Sequence, residues 1–280
     1  MKKRRWSAVI LALTAVMLFS DIPVSHANDT KDGWYYEQVG DSDKEGWRYY
    51  KNGKLKVLNW IYNTDTGVWN YLDADGVMKT GWGDGYADGY YFDEDGTMVT
   101  GWHYLLAPKR QLVANGVEVN GNQVEMSSPN EESDNTHWYY FRSDGTMAVG
   151  WEKIDGSWHY FGDGKKDGFD KGAMLTGRVT IEGNEYYFDE DAGVMQTGFL
   201  TIDEDKYYFS AVGIMKKDCW IKSGKNKYYA GEDGKLYCGE GTNNLLEVQI
   251  DEKMYYFDPN GKVVTTEVYN IDGKWTTKRP

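Results

Sequence analysis

A short aromatic segment recurs along the chain at nearly constant spacing, and it constrains the fold more than any other feature. The clearest copies have a cluster of rings, a turn that ends in glycine, a methionine, and then Gly-Trp, as after Tyr71 and Tyr91. Successive clusters lie 21 residues apart from Tyr50 to Tyr71 and again from Tyr187 to Tyr208. A fixed period of this length indicates a repeat architecture, in which each unit packs on its neighbours.

Each repeat has the composition of a β-hairpin with a connector. Tyr, Phe, Trp and Thr favour strands, and the Asp-Gly or Asn-Gly pairs after the clusters are typical of hairpin turns, because glycine accepts a positive φ. A single hairpin is only marginally stable in water, whereas stacked hairpins bury one another. The sequence therefore predicts an all-β fold, an elongated solenoid of stacked β-hairpins with little or no helix outside the N-terminal segment. From strand alternation we expect packing roles for the rings of Tyr90, Phe92, Tyr139, Phe141, Phe161 and Phe188.

One interval is longer than the others. Tyr91 and Tyr140 are 49 residues apart, so residues 103–137 hold either an insertion or a degenerate repeat. With that choice open, we expect about nine or ten hairpin units in residues 28–280.

The N-terminal residues 1–27 have the features of a secretory signal peptide. A basic start is followed by a short apolar run, and the run ends near the small-residue segment Ser25-His26-Ala27. The run is too short to span a membrane comfortably, and no later stretch is apolar enough to do so. We therefore expect an exported chain that begins near Asn28 and has no stable membrane insertion.

The charge of the chain narrows the partners. The formal net charge is −13, and removal of residues 1–27 would take away four basic residues and Asp21 and leave −16. Nucleic acid is not expected as a partner, since its binding relies on Lys and Arg. An acidic surface tolerates a cationic ligand and also keeps a ring-rich chain in solution.

No metal or cofactor site is expected. The Asp-x-Asp-Gly segments lack the longer ligand spacing and final glutamate of an EF-hand, so turn chemistry explains them better. Cys219 and Cys238 are too few for a zinc site. In an exported protein the two cysteines are compatible with a disulfide or with free thiols.

The sequence does not predict an enzyme. After residue 27 the histidines are His103, His137 and His159, and no local pattern joins any of them to a nucleophile or to metal-ligand spacing. The carboxylates lie mostly in turns, and the repeats leave no stretch long enough for a separate catalytic domain.

One copy of the repeat is complete enough to suggest a family. Gly150-Trp151 is followed seven residues later by Trp158, then by Tyr160-Phe161, a glycine turn, Met174 and Thr-Gly. This pattern resembles the choline-binding or cell-wall-binding repeats of Gram-positive surface proteins. It is also similar to the glucan-binding repeats of secreted glucosyltransferases and to clostridial toxin repeats. The resemblance covers the chain from about Gly33 to Trp275.

The resemblance implies aromatic cages between consecutive repeats. Each cage would use the Trp of Gly-Trp, the Trp that opens the ring cluster, a methionine, and the second Tyr of the next cluster. The residues carried over are Trp151, Trp158, Met174 and Tyr187; Trp60, Trp69, Met78 and Tyr91; and Trp102, Trp138, Met147 and Tyr160. The segment 103–137 interrupts the third set. Beyond these sets the pattern is lost, with Arg178 and Glu185 at the two Trp positions.

Three functions remain open. A quaternary ammonium group donates no hydrogen bond and is attracted by ring faces, so the resemblance implies attachment to choline on teichoic acids. The same rings could instead stack on a glucan or another cell-wall polysaccharide. In the third reading the rings only pack, and the chain is a spacer or an adhesin. The resemblance also implies a secreted protein at the cell wall or cell surface, and it leaves dimerisation open.

Overall fold

The structure is a computed structural model of the chain. It describes residues 30–40, 45–84, 88–108, 136–164, 170–241, 244–271 and 273–277. The predicted signal peptide and most of the 103–137 segment lie outside the described residues, so both interpretations stay predictions. No helix in the described part is long and apolar enough to cross a membrane.

The described residues form strands and no helix, which confirms the predicted all-β stack of hairpins. The strands are β1 (Gly33–Gln38), β2 (Glu45–Lys51), β3 (Lys54–Leu55), β4 (Asn59–Asn63), β5 (Val68–Leu72), β6 (Gly81–Trp82), β7 (Tyr91–Phe92), β8 (Gly101–Leu106), β9 (Thr136–Phe141), β10 (Gly150–Ile154), β11 (Ser157–Phe161), β12 (Gly177–Ile181), β13 (Asn184–Phe188), β14 (Gly198–Ile202), β15 (Asp205–Phe209), β16 (Cys219–Ser223), β17 (Asn226–Ala230), β18 (Leu246–Ile250), β19 (Lys253–Phe257), β20 (Tyr269–Ile271) and β21 (Lys274–Thr276).

Consecutive strands pair antiparallel to give hairpins that we number in chain order. Hairpin 1 is β1 with β2, and β3 adds to its edge. Hairpins 2 to 10 are β4–β5, β6–β7, β8–β9, β10–β11, β12–β13, β14–β15, β16–β17, β18–β19 and β20–β21. The chain divides into two compact units, Met1–Lys79 with hairpins 1 and 2, and Thr80–Pro280 with hairpins 3 to 10.

The strand that pairs with each ring cluster is the Gly-Trp strand before it. In hairpin 5 the tip is the pair Asp155-Gly156, and both residues have positive φ, 48° and 85°, as a type I′ turn requires. The Asp-Gly turns after the clusters, which the sequence suggested as hairpin turns, lie at the other end of the second strand. One of them returns the chain only to a single bridge between Phe92 and Met98.

Side-chain hydrogen bonds close these later turns. The Asp93 carboxylate accepts a hydrogen bond from the Thr97 N–H at 2.8 Å, and the Gly96 N–H donates to the Asp93 carbonyl at 3.1 Å. Asp73 makes the same contact with the Val77 N–H at 2.9 Å. The aspartates therefore bond to their own backbone, as expected for turn residues.

Neighbouring hairpins are joined by backbone hydrogen bonds and by buried rings. The Met174 N–H donates to the Trp138 carbonyl and the Met195 N–H to the Trp158 carbonyl, both at 2.8 Å. The methionine side chain then lies beneath the turn glycine of the next repeat. The rings that fill the interior are Phe92, Phe141, Phe161, Phe188, Phe209 and Phe257, all fully or almost fully buried. Tyr139 is also fully buried, as its side of the strand predicted.

A glycine pair tests how much this methionine contact contributes. A Cβ at Gly172 (φ +80°) would lie 2.2 Å from the Met147 sulfur, whereas a Cβ at Gly156 (φ +85°) meets nothing within 4 Å. Both Gly→Ala variants should lose about 1 kcal/mol from left-handed backbone, and Gly172→Ala should lose about 1–3 kcal/mol more from overpacking. Urea unfolding measures the difference, and equal losses would contradict the packing role of the methionine.

Candidate ligand-binding site: the tryptophan corners

Two tryptophans share one face of a hairpin because of the pairing register. In hairpin 5, Trp151 lies opposite Tyr160, and Lys153 lies opposite Trp158. Alternate residues of a strand point to the same face, so these four side chains lie together. His159 and Phe161 point to the opposite face and are buried.

In the part of the chain that the structure describes, three hairpins bring two indole rings together in almost the same geometry. We call each pair a Trp corner and name it after its first residue. The ring centroids are 6.5 Å apart at 84° in the Trp60 corner, 6.5 Å at 85° in the Trp102 corner, and 6.3 Å at 89° in the Trp151 corner. The partners are Trp69, Trp138 and Trp158, the three pairs that the sequence suggested. Two perpendicular ring faces can contact one compact cation from two sides.

Each corner also contains a tyrosine from its own hairpin. Tyr71, Tyr140 and Tyr160 lie 5.0, 5.1 and 5.1 Å from the first tryptophan of their corner, across the ladder. The second tryptophan remains open to solvent, with 41% exposure at Trp69 and 42% at Trp138. A corner is therefore partly built into the packing and partly accessible.

The ring that the following hairpin contributes is one residue earlier than the sequence suggested. Trp151 contacts Tyr186 at 5.0 Å, and Trp102 contacts His159 at 5.2 Å. Tyr187 lies on the opposite face of its strand and packs on the buried cluster of the next hairpin. The expectation that Tyr187 completes the Trp151 corner is thereby corrected to Tyr186.

The other two tyrosines carried over from the resemblance lie against their own hairpins. Tyr160, expected at the Trp102 corner, packs on Trp151 instead. Tyr91, expected with the Trp60 corner, packs on Trp82 at 5.2 Å. The reason is the ladder itself, because the second Tyr of each cluster lies directly opposite the Gly-Trp tryptophan of the same hairpin.

The methionines are displaced by one hairpin from their expected places. Met174 was expected at the Trp151 corner, but its N–H bonds to Trp138, and its side chain packs with Trp102 on one buried cluster. Met195 holds the same position beside Trp158. In hairpins 3 to 7 the methionine after the turn forms a β-bridge with the phenylalanine that ends the second strand, as Met174 does with Phe161.

Met78 and Met147 follow the same rule. The Met78 N–H donates to the Trp47 carbonyl at 2.7 Å, and the Met147 N–H donates to the Gly89 carbonyl at 2.8 Å. Neither is therefore bonded to the tryptophans of the set in which the resemblance placed it.

The charge near the corners differs. The Lys153 ammonium lies 5.9 Å from the centre of the Trp158 ring, within the range of a cation–π contact. At the same cross-strand position Tyr104 lies 5.4 Å from Trp138, and Tyr62 lies 4.9 Å from Trp69. A resident ammonium repels a cationic ligand, so the Trp102 corner offers a better host for a cation than the Trp151 corner.

A fourth Trp pair was missed from the sequence. In hairpin 1, Trp34 lies opposite Tyr49, and Tyr36 lies opposite Trp47, so Trp34 and Trp47 hold the two Trp positions. The Gly-Trp dipeptide at Trp34 was the available signal. It was hidden because the two tryptophans are 13 residues apart rather than 7.

The remaining hairpins lack one or both tryptophans at these positions. Hairpin 6 has Arg178 opposite Tyr187 and Glu185 opposite Thr180. Hairpin 7 has Phe199 and Lys206, and hairpin 8 has Trp220 and Lys227. The loss of the pattern after the Trp151 corner, as the sequence indicated, is visible in the register.

The histidines and cysteines have structural partners. His103 bonds to the Thr100 carbonyl at 3.0 Å, and His137 lies 3.5 Å from the Asp170 carboxylate. Cys219 and Cys238 are free thiols that pack on the same cluster, and burial raises the pKa of Cys238. Within the described ranges, no group of three or more His, Cys, Asp or Glu side chains could hold a metal ion.

Two family models match parts of the chain. The model of the choline-binding repeat matches residues 132–167 and 196–239. A second model, for a cell-wall-binding repeat, matches residues 248–263. The matched segments are similar to choline-binding and cell-wall-binding repeats. No curated protein matches the chain.

Solved structures from one organism share the fold. Choline binding protein F from Streptococcus pneumoniae, crystallised with a peptidoglycan analogue, is 25% identical with a TM-score of 0.58, and the match covers 84% of this chain and 72% of that one. CbpJ from the same organism is 22% identical with a TM-score of 0.55, and the match covers 87% and 84%.

His159, which touches Trp102, makes stability depend on pH. Its ring is 5% exposed, and its Nδ1 has no hydrogen-bond partner. Burial lowers the pKa of His159, although a hydrogen bond with the Gly193 backbone and the Asp155 carboxylate oppose this. The unfolded chain then binds more protons below about pH 6.5, so the free energy of unfolding should fall as pH drops through that value.

His159→Tyr should remove this loss, since Tyr139 and Tyr186 hold the same position in neighbouring hairpins. Urea unfolding of parent and variant at about pH 7.5 and about pH 5.5 measures the effect. The parent should lose more stability than the variant between the two conditions. Equal losses would show that His159 does not titrate in this interval.

Proposed function

We propose that the chain is a non-catalytic protein of the cell surface that attaches to a cell-wall polymer by binding choline at its Trp corners. The observation that carries this proposal is the repetition of one geometry. Three pairs of perpendicular indoles lie at equivalent positions of three hairpins, 6.3–6.5 Å apart. Packing alone does not require the second Trp, because hairpins 6 and 7 pack on each other with Glu185 and Lys206 at that position.

A corner suits a quaternary ammonium group for physical reasons. Such a cation is weakly hydrated and cannot donate a hydrogen bond, so it loses little solvation when it leaves water. The faces of the aromatic rings attract its charge. The acidic chain, with a net charge of −13, favours a cationic ligand further. One corner would bind weakly. Several corners on one chain would bind a choline-bearing teichoic acid more strongly, by multivalency.

The remaining parts of the proposal follow from this role. Attachment to a wall polymer requires export, which the predicted signal peptide in residues 1–27 would provide. The described histidines are bonded or buried in the packing, so a binding role is favoured over catalysis. Dimerisation would increase the number of corners per particle, and it is an outcome that sedimentation with and without choline can measure.

A second function is favoured by the exposed rings at the hairpin tips. Tyr104, 55% exposed, lies beside Trp138, and Tyr62, 48% exposed, lies beside Trp69. Such pairs present flat apolar surface on which a sugar ring can stack. Binding of the glycan part of a wall polysaccharide would therefore use the tips. Retention on insoluble glucan or cell-wall glycan without choline would support this function.

The choline proposal is tested with the exposed tryptophans. Trp138→Ala and Trp158→Ala should each weaken choline binding at one corner by about 3- to 30-fold, from the loss of one ring. Trp220→Phe keeps a ring against Tyr255 and removes an indole of similar exposure that has no second Trp, so it should leave choline binding unchanged. Choline titration followed by tryptophan fluorescence gives the affinities. A parent chain that shows no saturable change at millimolar choline would contradict the proposal.

A further inference from the structure

Hairpin 6 has the backbone of a Trp corner but a different pair of side chains. Arg178 lies opposite Tyr187, as Trp151 lies opposite Tyr160 in hairpin 5. Glu185 occupies the place of Trp158 one step nearer the tip. The two positions that hold indoles in the Trp151 corner thus hold a cation and an anion.

The Arg178 side chain makes the contact that a ring makes elsewhere. Its guanidinium carbon lies 5.5 Å from the centre of the Tyr207 ring in the next hairpin. The corresponding ring contacts are Trp151 to Tyr186 at 5.0 Å and Trp220 to Tyr255 at 4.7 Å. A planar guanidinium stacks on an aromatic face and keeps its charge. Arg178 therefore replaces the indole and brings a cation to the ring.

Glu185 holds this cation in place. The Arg178 Nε–H donates to the Glu185 carboxylate at 2.6 Å, and the Lys217 ammonium bonds to the other carboxylate oxygen. The Arg178 Nη2 group also donates to the Asp233 carbonyl at 3.4 Å. Burial acts to raise the pKa of Glu185, but the bonds from Lys217 and Arg178 outweigh it and lower the pKa. The carboxylate is therefore ionised at neutral pH and pairs with both cations.

We propose that Arg178 is a specificity-determining residue, a tethered cation that fills the ligand position between hairpins 6 and 7 and keeps choline out. The inference rests on the proposed choline binding, since it assigns which steps of the stack take the ligand. Free choline would have to displace a guanidinium that is covalently linked to the site and present at high effective concentration. It would also leave Arg178 and Glu185 without their partners, at a cost in free energy.

The assignment has a direct consequence for the capacity of the chain. The Trp102 corner takes the ligand, the Trp151 corner takes it more weakly because of Lys153, and the ligand-binding steps of their unit end at Arg178. Hairpin 6 still packs on hairpin 7, because the Arg178 guanidinium stacks on the Tyr207 ring as an indole would. With Arg178 and Glu185 at the two Trp positions, hairpin 6 therefore lacks a ligand site but keeps its packing contact with hairpin 7.

The experiment exchanges the pairs between two hairpins. Arg178→Trp combined with Glu185→Trp should build a corner in hairpin 6 and raise the number of choline molecules bound per chain by one. Trp151→Arg combined with Trp158→Glu should lower that number by one while the variant stays folded. Equilibrium dialysis with labelled choline counts the sites, and thermal melts confirm folding.

A matched control places the same ion pair where no corner exists. Phe199→Arg combined with Lys206→Glu changes hairpin 7 and should leave the number of sites unchanged. An unchanged number in the folded Arg178→Trp, Glu185→Trp variant would overturn the inference. So would an unchanged number after the transfer of the pair into hairpin 5.

The outcomes separate this inference from the proposed function. If the parent binds choline and neither exchange alters the number of sites, only the role of Arg178 is refuted. If the parent binds no choline but the Arg178→Trp, Glu185→Trp variant does, the proposed function fails and the role of Arg178 stands. If no variant binds choline, both are refuted.

Discussion

The fold depends on the contact between the first strand of one hairpin and the buried ring of the next. A two-stranded hairpin is barely stable alone, so each one relies on its neighbour to bury its ring. The contact recurs from Trp82 on Tyr139 at 4.8 Å to Trp220 on Tyr255 at 4.7 Å. A backbone hydrogen bond, donated by the N–H of a residue that follows the turn, accompanies this ring contact. That bond survives even where Leu236 replaces the methionine, with its N–H 2.7 Å from the Lys206 carbonyl.

Packing and binding use different positions of the same hairpin. The ring that packs on the preceding hairpin, such as Tyr139 or Tyr186, is a tyrosine in most hairpins and is largely buried. The residue one step nearer the hairpin tip varies, from Trp158 to Glu185, Lys206 and Lys227. Because the tip position contributes little to the interior, it can change without loss of the stack. Ligand capacity can therefore vary along the chain while the fold stays the same.

Much of the fold could be predicted from the sequence, since period, ring content and glycine turns are local signals. The Trp pairs of the three corners were also predicted, because their places in the repeat are explicit. The ring that the following hairpin contributes to each corner was not predicted correctly. The Asp-Gly turn after each cluster looked like a hairpin tip, although the cluster pairs with the Gly-Trp strand before it. Once the pairing is known, alternation places Tyr186 rather than Tyr187 against Trp151, and Met174 moves to the preceding corner.

The hairpin tip is the place where the chain tolerates the greatest change in length. Asp155-Gly156 joins the strands of hairpin 5, whereas residues 107–135 join those of hairpin 4, and both ladders run unbroken from Gly-Trp to the ring cluster. The ladder and the contacts between hairpins are the same in both cases, so the tip limits the length of the chain less than the strands do. A peptide inserted between Asp155 and Gly156 should therefore be displayed without refolding its carrier, which makes each hairpin an independent mounting point for foreign sequence.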